Sequence, residues 1–160
     1  MKAIINTQLA DFSLPAYHNG SFVTICSEQL KGHWSILFFY PNDFCFVCPT
    51  ELADMADEYD RLKQMGVSIY GICPDSPYAH KAWHEASPRV NKIQFPMLSD
   101  RTGRIGKSLG VISLDLAIIR STFLMNPEGK IKLAEYHESG VGRDAEELIR
   151  KVKLIIEAYS

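Results

Sequence analysis

Nothing in the sequence suits a membrane or a nucleic acid. The longest apolar runs, around Ile36 to Tyr40 and Leu114 to Ile119, fall far short of the roughly 20 residues that cross a bilayer. The start, MKAIINTQLADF, reaches Asn6, Thr7, Gln8 and Asp11 without the apolar core of a secretory signal, so a cytoplasmic location is expected. No cluster of Lys and Arg is dense enough to grip a phosphate backbone, and 17 basic against 19 acidic residues leave a formal charge of -2. A nucleic-acid partner is therefore not expected. Repeats, low-complexity tracts and linkers are also missing, so residues 1–160 are read as a single domain. Cysteine is scarce: there are four, and in a compartment that keeps thiols reduced they read as core residues, metal ligands or redox groups rather than a static disulfide framework.

What is present reads as a folded α/β domain, with 46% hydrophobic and 22% charged residues. WSILFFYP, from Trp34, is a nearly continuous apolar strand ended by Pro41, the pattern of a strand buried on both faces. From Thr50, the residues Leu52, Met55, Ala56, Tyr59, Leu62 and Met65 recur at spacings of three and four, which predicts one amphipathic helix stopped by Gly66. VSIYGIC, Val67 to Cys73, is a second strand, and HKAWHEAS a second helical stretch. Strand, helix, strand is a βαβ unit, so the two strands are expected to be parallel. STFLMNPEGKIKLAEYHE predicts an antiparallel hairpin about Asn126 to Gly129. GRDAEELIRKVKLIIEAY closes the chain as a helix, with Asp144 as N-cap and Leu148, Val152, Ile155 and Ile156 on one face. The order βαβ…ββα is the thioredoxin-like plan: a central mixed β-sheet flanked by helices, here with an N-terminal extension that contains the turn His18 to Ser21 and a short hairpin.

The stretch FFYPNDFCFVCPTE puts Cys45 and Cys48 three residues apart between the first strand and the first helix. Cys48 then stands at or beside the helix N-terminus, where unpaired N–H groups and the helix dipole favour a thiolate, and Pro49 suits the first turn. From position alone, Cys48 reads either as a nucleophile or as a small buried hydrophobe.

FYPNDFCFVCPTE is similar to the active-site signature of the peroxiredoxins, in particular the alkyl hydroperoxide reductase C, or thiol-specific antioxidant, branch. There a proline, a threonine or serine, and the peroxidatic cysteine stand at the places of Pro41, Cys45 and Cys48. The resemblance continues through HKAWHEAS with Trp83, STFLMNPEG following Arg120, and GVGRDAEELIR with Arg143, and covers essentially the whole chain. It implies that the Cys48 thiolate attacks the O–O bond of hydrogen peroxide or an organic hydroperoxide, giving a sulfenic acid and water or an alcohol. It also implies that Pro41, Cys45 and Arg120 form the peroxide pocket, with Pro41 shielding the sulfur. Arg120 would donate toward both sulfur and peroxide in a fork that lysine cannot reproduce, although alone it reads equally as a surface arginine beside a strand. Glu51 would orient Arg120 and Arg143, or simply favour the helix N-terminus as an acidic residue. The resemblance implies no cofactor and no metal. The implied partners are a thiol or disulfide reductant, such as a thioredoxin-like or flavoprotein system, and further copies of the chain in a homodimer or ring of dimers. The alternating run KIKLAEYH could pair edge to edge.

Two departures leave the resolving step open. Cys45 occupies the threonine position, where it fills that site or resolves Cys48 through a disulfide. The tail beyond the last helix that carries the resolving cysteine in two-cysteine members is not in this sequence, so Cys45, Cys73, a missing tail or an external thiol remain as resolvers. Cys73 also reads as a buried strand-end residue, and Cys26, before the capping candidate Ser27, as structural. Three rival readings remain: a thioredoxin-type thiol–disulfide oxidoreductase using Cys45 and Cys48, a chaperone-like oligomer, and a zinc site from Cys45, Cys48, His80 and His84, for which one Cys-x-x-Cys is weak support.

Overall fold

The computed structural model describes residues 3–45, 48–114, 117–138 and 140–159. Phe46 and Val47 of the cysteine motif, and Asp115 and Leu116 of the second apolar run, lie outside them.

A seven-stranded mixed sheet organises the chain, in the order β2-β1-β5-β4-β3-β6-β7. The N-terminal hairpin is β1 (Ser13–His18) and β2 (Ser21–Cys26). Its turn has positive φ at both Asn19 (50°) and Gly20 (84°), the conformation that two-residue hairpins of matching twist require. Strand β3 (Trp34–Phe39) lies between β4 (Val67–Cys73), to which it is parallel, and β6 (Arg120–Met125), to which it is antiparallel. Its near-continuous apolarity has a direct cause: Ile36 and Phe38 enter the core on one face of the sheet, while Leu37 and Phe39 enter the core on the other. Strand β7 (Ile131–His137) completes the predicted hairpin with β6 and forms one edge of the sheet.

The expected single helix after the cysteines is two, α1 (Cys48–Asp57) and α2 (Tyr59–Gln64), separated at Glu58, whose N–H bonds back to Met55 instead of one residue earlier. Apolar spacings of three and four run unchanged across this break, so the sequence pattern does not reveal it. Gly66, at φ 78°, ends the helical stretch as anticipated. Helix α3 (Pro77–Ala86) starts at Ser76, whose hydroxyl accepts from the N–H of Ala79, and a short helix α4 (Pro88–Asn91) follows.

Strand β5 (Met97–Ser99), too short for a periodic signal, is absent from the sequence reading. It pairs parallel with β4 and antiparallel with β1, so the N-terminal hairpin extends the sheet instead of lying apart from it. Helix α5 (Arg104–Ser108) precedes β6, and α6 (Ala145–Ala158) closes the fold. The Asp144 carboxylate caps α6 by accepting from the N–H groups of Glu146 and Glu147. Leu148, Ile149 and Val152 of α6 are buried in the same core as α1, with Ile155 and Ile156 packed against it. Ser27 is not the cap expected after Cys26: it lies inside a short 3-10 turn, and its hydroxyl accepts from the N–H of Phe12, while the Cys26 N–H is satisfied by Gln29.

Candidate active site

Parallel β3 and β4 bring their carboxyl ends to one edge of the sheet, where sites in α/β folds gather. Because β6 runs antiparallel to β3, its first residue, Arg120, stands at that same edge, one position before the Phe39–Ser121 pair. The chain leaves β3 through Tyr40 and Pro41 and turns into α1 at Cys48, so Cys48 opens a helix and Pro49 occupies the second position, where its missing N–H costs nothing.

Cys48 is fully buried, Cys45 is half-buried, and the two form a disulfide with Cα atoms 5.6 Å apart. The Arg120 guanidinium reaches both sulfurs: Nη1 donates to Cys48 Sγ at 3.1 Å, and Nη2 approaches Cys45 Sγ at 3.9 Å. Nη1 also donates to Glu51 Oε1 at 2.5 Å. Glu51, in the first turn of α1, is buried with both oxygens engaged: Oε2 accepts from Arg143 Nε and from the Arg143 backbone N–H, each at 2.7 Å.

Arg143 donates in addition to the Ser121 carbonyl at 2.7 Å and the Thr122 hydroxyl at 3.2 Å, and its guanidinium carbon lies 3.5 Å from the centre of the Phe38 ring. Burial lowers the Arg143 pKa from its ordinary value, and the Glu51 carboxylate acts against that shift. One carboxylate between two guanidiniums leaves the Arg120–Glu51–Arg143 group with a net positive charge beside a sulfur at a helix N-terminus, a setting that favours a thiolate.

Of the residues singled out in the sequence, Cys45, Cys48, Glu51, Arg120 and Arg143 are brought into one connected group, and Pro41, half-buried, begins the loop that carries Cys45. Glu51 thus does more than favour a helix start, and Arg120 is buried, not on the surface. The quartet imagined for zinc is not assembled. The two sulfurs bond to each other, His80 Nδ1 faces Asp43 Oδ2 at 2.6 Å, and His84 Nδ1 donates to the His80 carbonyl at 2.8 Å. Cys73 is buried at the end of β4, and burial followed by the nearby Asp43 carboxylate raises its thiol pKa well above the ordinary value.

Asp43, two residues before Cys45, and Phe44 between them belong to the site but are not legible as such in the sequence. Phe44 has φ 62°, a left-handed conformation that costs on the order of 1–3 kcal/mol for a residue of this bulk, and its ring stands 5.9 Å from that of Trp83 on α3. No periodicity marks such a residue; the only sequence signal is an acidic residue inside a cysteine loop.

A family model described as the AhpC/TSA family matches residues 5–134. The chain belongs to the AhpC/TSA family. It is 41% identical over 152 residues to the alkyl hydroperoxide reductase C of Escherichia coli (strain K12), covering 94% of this chain and 81% of that relative. The Pseudomonas aeruginosa (strain UCBPP-PA14) protein of the same name is 43% identical over 152 residues, with the same coverage. Among solved structures, Enterococcus faecalis AhpC superposes with a TM-score of 0.93 at 44% identity, covering 96% of this chain and 92% of that one. The reduced 2-Cys peroxiredoxin of Plasmodium vivax superposes with a TM-score of 0.91 at 26% identity, covering 98% and 83%. This AhpC/TSA chain therefore has the thioredoxin-like α/β fold of the peroxiredoxins.

Proposed function

We propose that residues 1–160 form one peroxiredoxin domain, a thiol peroxidase in which Cys48 reduces hydrogen peroxide and organic hydroperoxides. The observation that carries this reading is the 3.1 Å contact from Arg120 to Cys48 Sγ at the first residue of α1, with Glu51 holding the guanidinium in place. The Cys48 thiolate attacks one peroxide oxygen, the O–O bond breaks, and the departing alkoxide or hydroxide takes up a proton, leaving Cys48 sulfenic acid and an alcohol or water. Arg120 has donors in a planar fork, so one guanidinium serves both sulfur and the oxygen on which charge develops. Pro41 and Cys45 complete the pocket, and Arg143 supports Arg120 through Glu51.

In the second step the Cys45 sulfur attacks the sulfenic sulfur of Cys48 and expels water, forming the Cys45–Cys48 disulfide. The pair's 5.6 Å Cα separation lies within the span that a disulfide bridges, which supports closure inside one chain. Cys73, buried and held protonated, is the poorer nucleophile. A dithiol reductant of the thioredoxin-like or flavoprotein kind then restores both thiols. Further copies pair along β7, which forms one edge of the sheet, as a homodimer or ring of dimers. Among the described residues no helix is long and apolar enough to cross a membrane, and the free thiols of Cys26 and Cys73 suit a reducing cytoplasm.

The test is peroxide consumption by Cys48→Ser with a saturating dithiol. Loss of several powers of ten is expected, because serine stays protonated at neutral pH; turnover above about a hundredth of wild type refutes the assignment. The same Cys-x-x-Cys at a helix start favours one second reading, thiol–disulfide exchange as the main activity. Rapid insulin reduction combined with poor peroxide turnover would establish that instead.

A further inference from the structure

The steps above make no use of a buried polar cluster directly behind the cysteine loop. Asp43 is 4% exposed. Its Oδ1 accepts from the Tyr40 hydroxyl at 2.8 Å and from the Cys73 thiol at 3.6 Å, and its Oδ2 faces Nδ1 of fully buried His80 at 2.6 Å. His80 Nε2 in turn faces the Leu98 carbonyl at 3.1 Å and the Ser99 hydroxyl at 2.9 Å. The backbone N–H of Asp43 donates to Asp75 Oδ2 at 2.7 Å. One side chain in the loop is thereby tied to the carboxyl ends of β3, β4 and β5 and to α3. Asp43, Cys73 and His80 have ligand-type atoms within 4.8 Å of one another, but each already has a hydrogen-bond partner, so the cluster reads as a lock rather than a cation seat.

Asp43 is followed by Phe44 in its left-handed conformation and then by Cys45. A backbone strained at Phe44 keeps its shape only while its surroundings hold it on both sides, and Asp43 supplies the hold on the inner side. We propose that Asp43 and His80 are positioning residues for Cys45: their buried pair fixes the loop so that the Cys45 sulfur stands ready for Cys48. The inference rests on the reading of Cys45 as the resolving thiol.

It has a chemical consequence. Cys48 sulfenic acid has two fates: with the Cys45 thiol it gives the disulfide and water, and with a second peroxide molecule it gives Cys48 sulfinic acid and an alcohol or water. The first depends on how closely the loop holds Cys45 to Cys48, and the second does not.

Two substitutions at His80 separate this role from mere packing. His80→Asn keeps an amide N–H where Nδ1 meets Asp43 and gives up the contacts to Leu98 and Ser99; His80→Gln does the reverse. Each purified full-length variant is treated with excess peroxide, and the disulfide and sulfinic forms of Cys48 are quantified by peptide mass spectrometry. We expect the sulfinic fraction to rise about fivefold or more in His80→Gln and to stay within about twofold of wild type in His80→Asn. An unchanged fraction in His80→Gln, or an equal rise in both variants, overturns the inference. Should His80→Gln fail to fold, Asp43→Ala, at the loop itself, must show the same rise, and a wild-type fraction there overturns it equally. If the wild-type protein forms no Cys45–Cys48 disulfide, the resolving role of Cys45 falls and the inference falls with it; if it does form one, the variants test the inference alone.

Discussion

Arg120 carries one guanidinium to two sulfurs and a carboxylate, which makes its shape as important as its charge. Arg120→Lys preserves the charge and loses the planar fork. Stopped-flow oxidation of Cys48 at pH 7 is expected to slow by about 10²-fold or more, the usual range for losing an oriented donor, and an unchanged second-order rate would remove Arg120 from the site. At this scale the sequence alone marks Cys48 and Pro49 as the start of a helix, with Cys48 either a nucleophile or a buried hydrophobe, and it takes the family resemblance to decide between those readings and to bring Arg120 into the site. It was silent on Asp43 and His80, whose roles come from burial and from partners 37 residues apart, which no local pattern encodes. The pairing of Glu51 with both arginines was available only through family resemblance, because an acidic residue in a first helical turn has an equally good local explanation.

Helix α1 is docked as much by charge as by packing, since Glu51 joins it to β6 through Arg120 and to the segment before α6 through Arg143. Glu51→Gln leaves two buried guanidiniums without their carboxylate. Removing one partner of a buried pair typically costs about 3–5 kcal/mol, so a large drop in the urea midpoint is expected; a loss under about 1 kcal/mol would show that the carboxylate is not what holds the arginines. Helix α3 carries a pH signature. Burial lowers the pKa of His84 from its ordinary 6.5. Between that lowered pKa and about pH 6.5 the unfolded chain therefore binds a proton that the folded chain resists, so this contribution to stability rises with pH across that window and is level on either side of it. His84→Asn, which keeps a donor for the His80 carbonyl, is expected to flatten this part of the stability–pH curve measured by urea denaturation. An unchanged slope would mean that His84 does not contribute to it. The elements legible from periodicity were β3, β4, the β6–β7 hairpin and α6. The break at Glu58 and the three-residue strand β5 were not, because one preserves the apolar spacing and the other is shorter than any period.

Across the whole molecule, β5 turns an N-terminal extension into part of the sheet, and the parallel and antiparallel neighbours of β3 converge two cysteines and an arginine distant in sequence on one sheet edge. If Cys45 resolves Cys48 within one chain, as proposed, oxidised protein is expected to run as a monomer on a non-reducing denaturing gel, whatever its assembly in solution. A ladder of linked dimers would instead place the resolving thiol on another copy. The most direct test is the intact mass of the fully reduced protein after one equivalent of peroxide, followed by peptide mapping. Loss of two hydrogens, with Cys45 and Cys48 both blocked to alkylation and joined in one disulfide-linked peptide, is the expected result. A mass gain of one oxygen retained on Cys48 with Cys45 still alkylatable, or a disulfide that includes Cys73, would contradict the Cys45–Cys48 cycle.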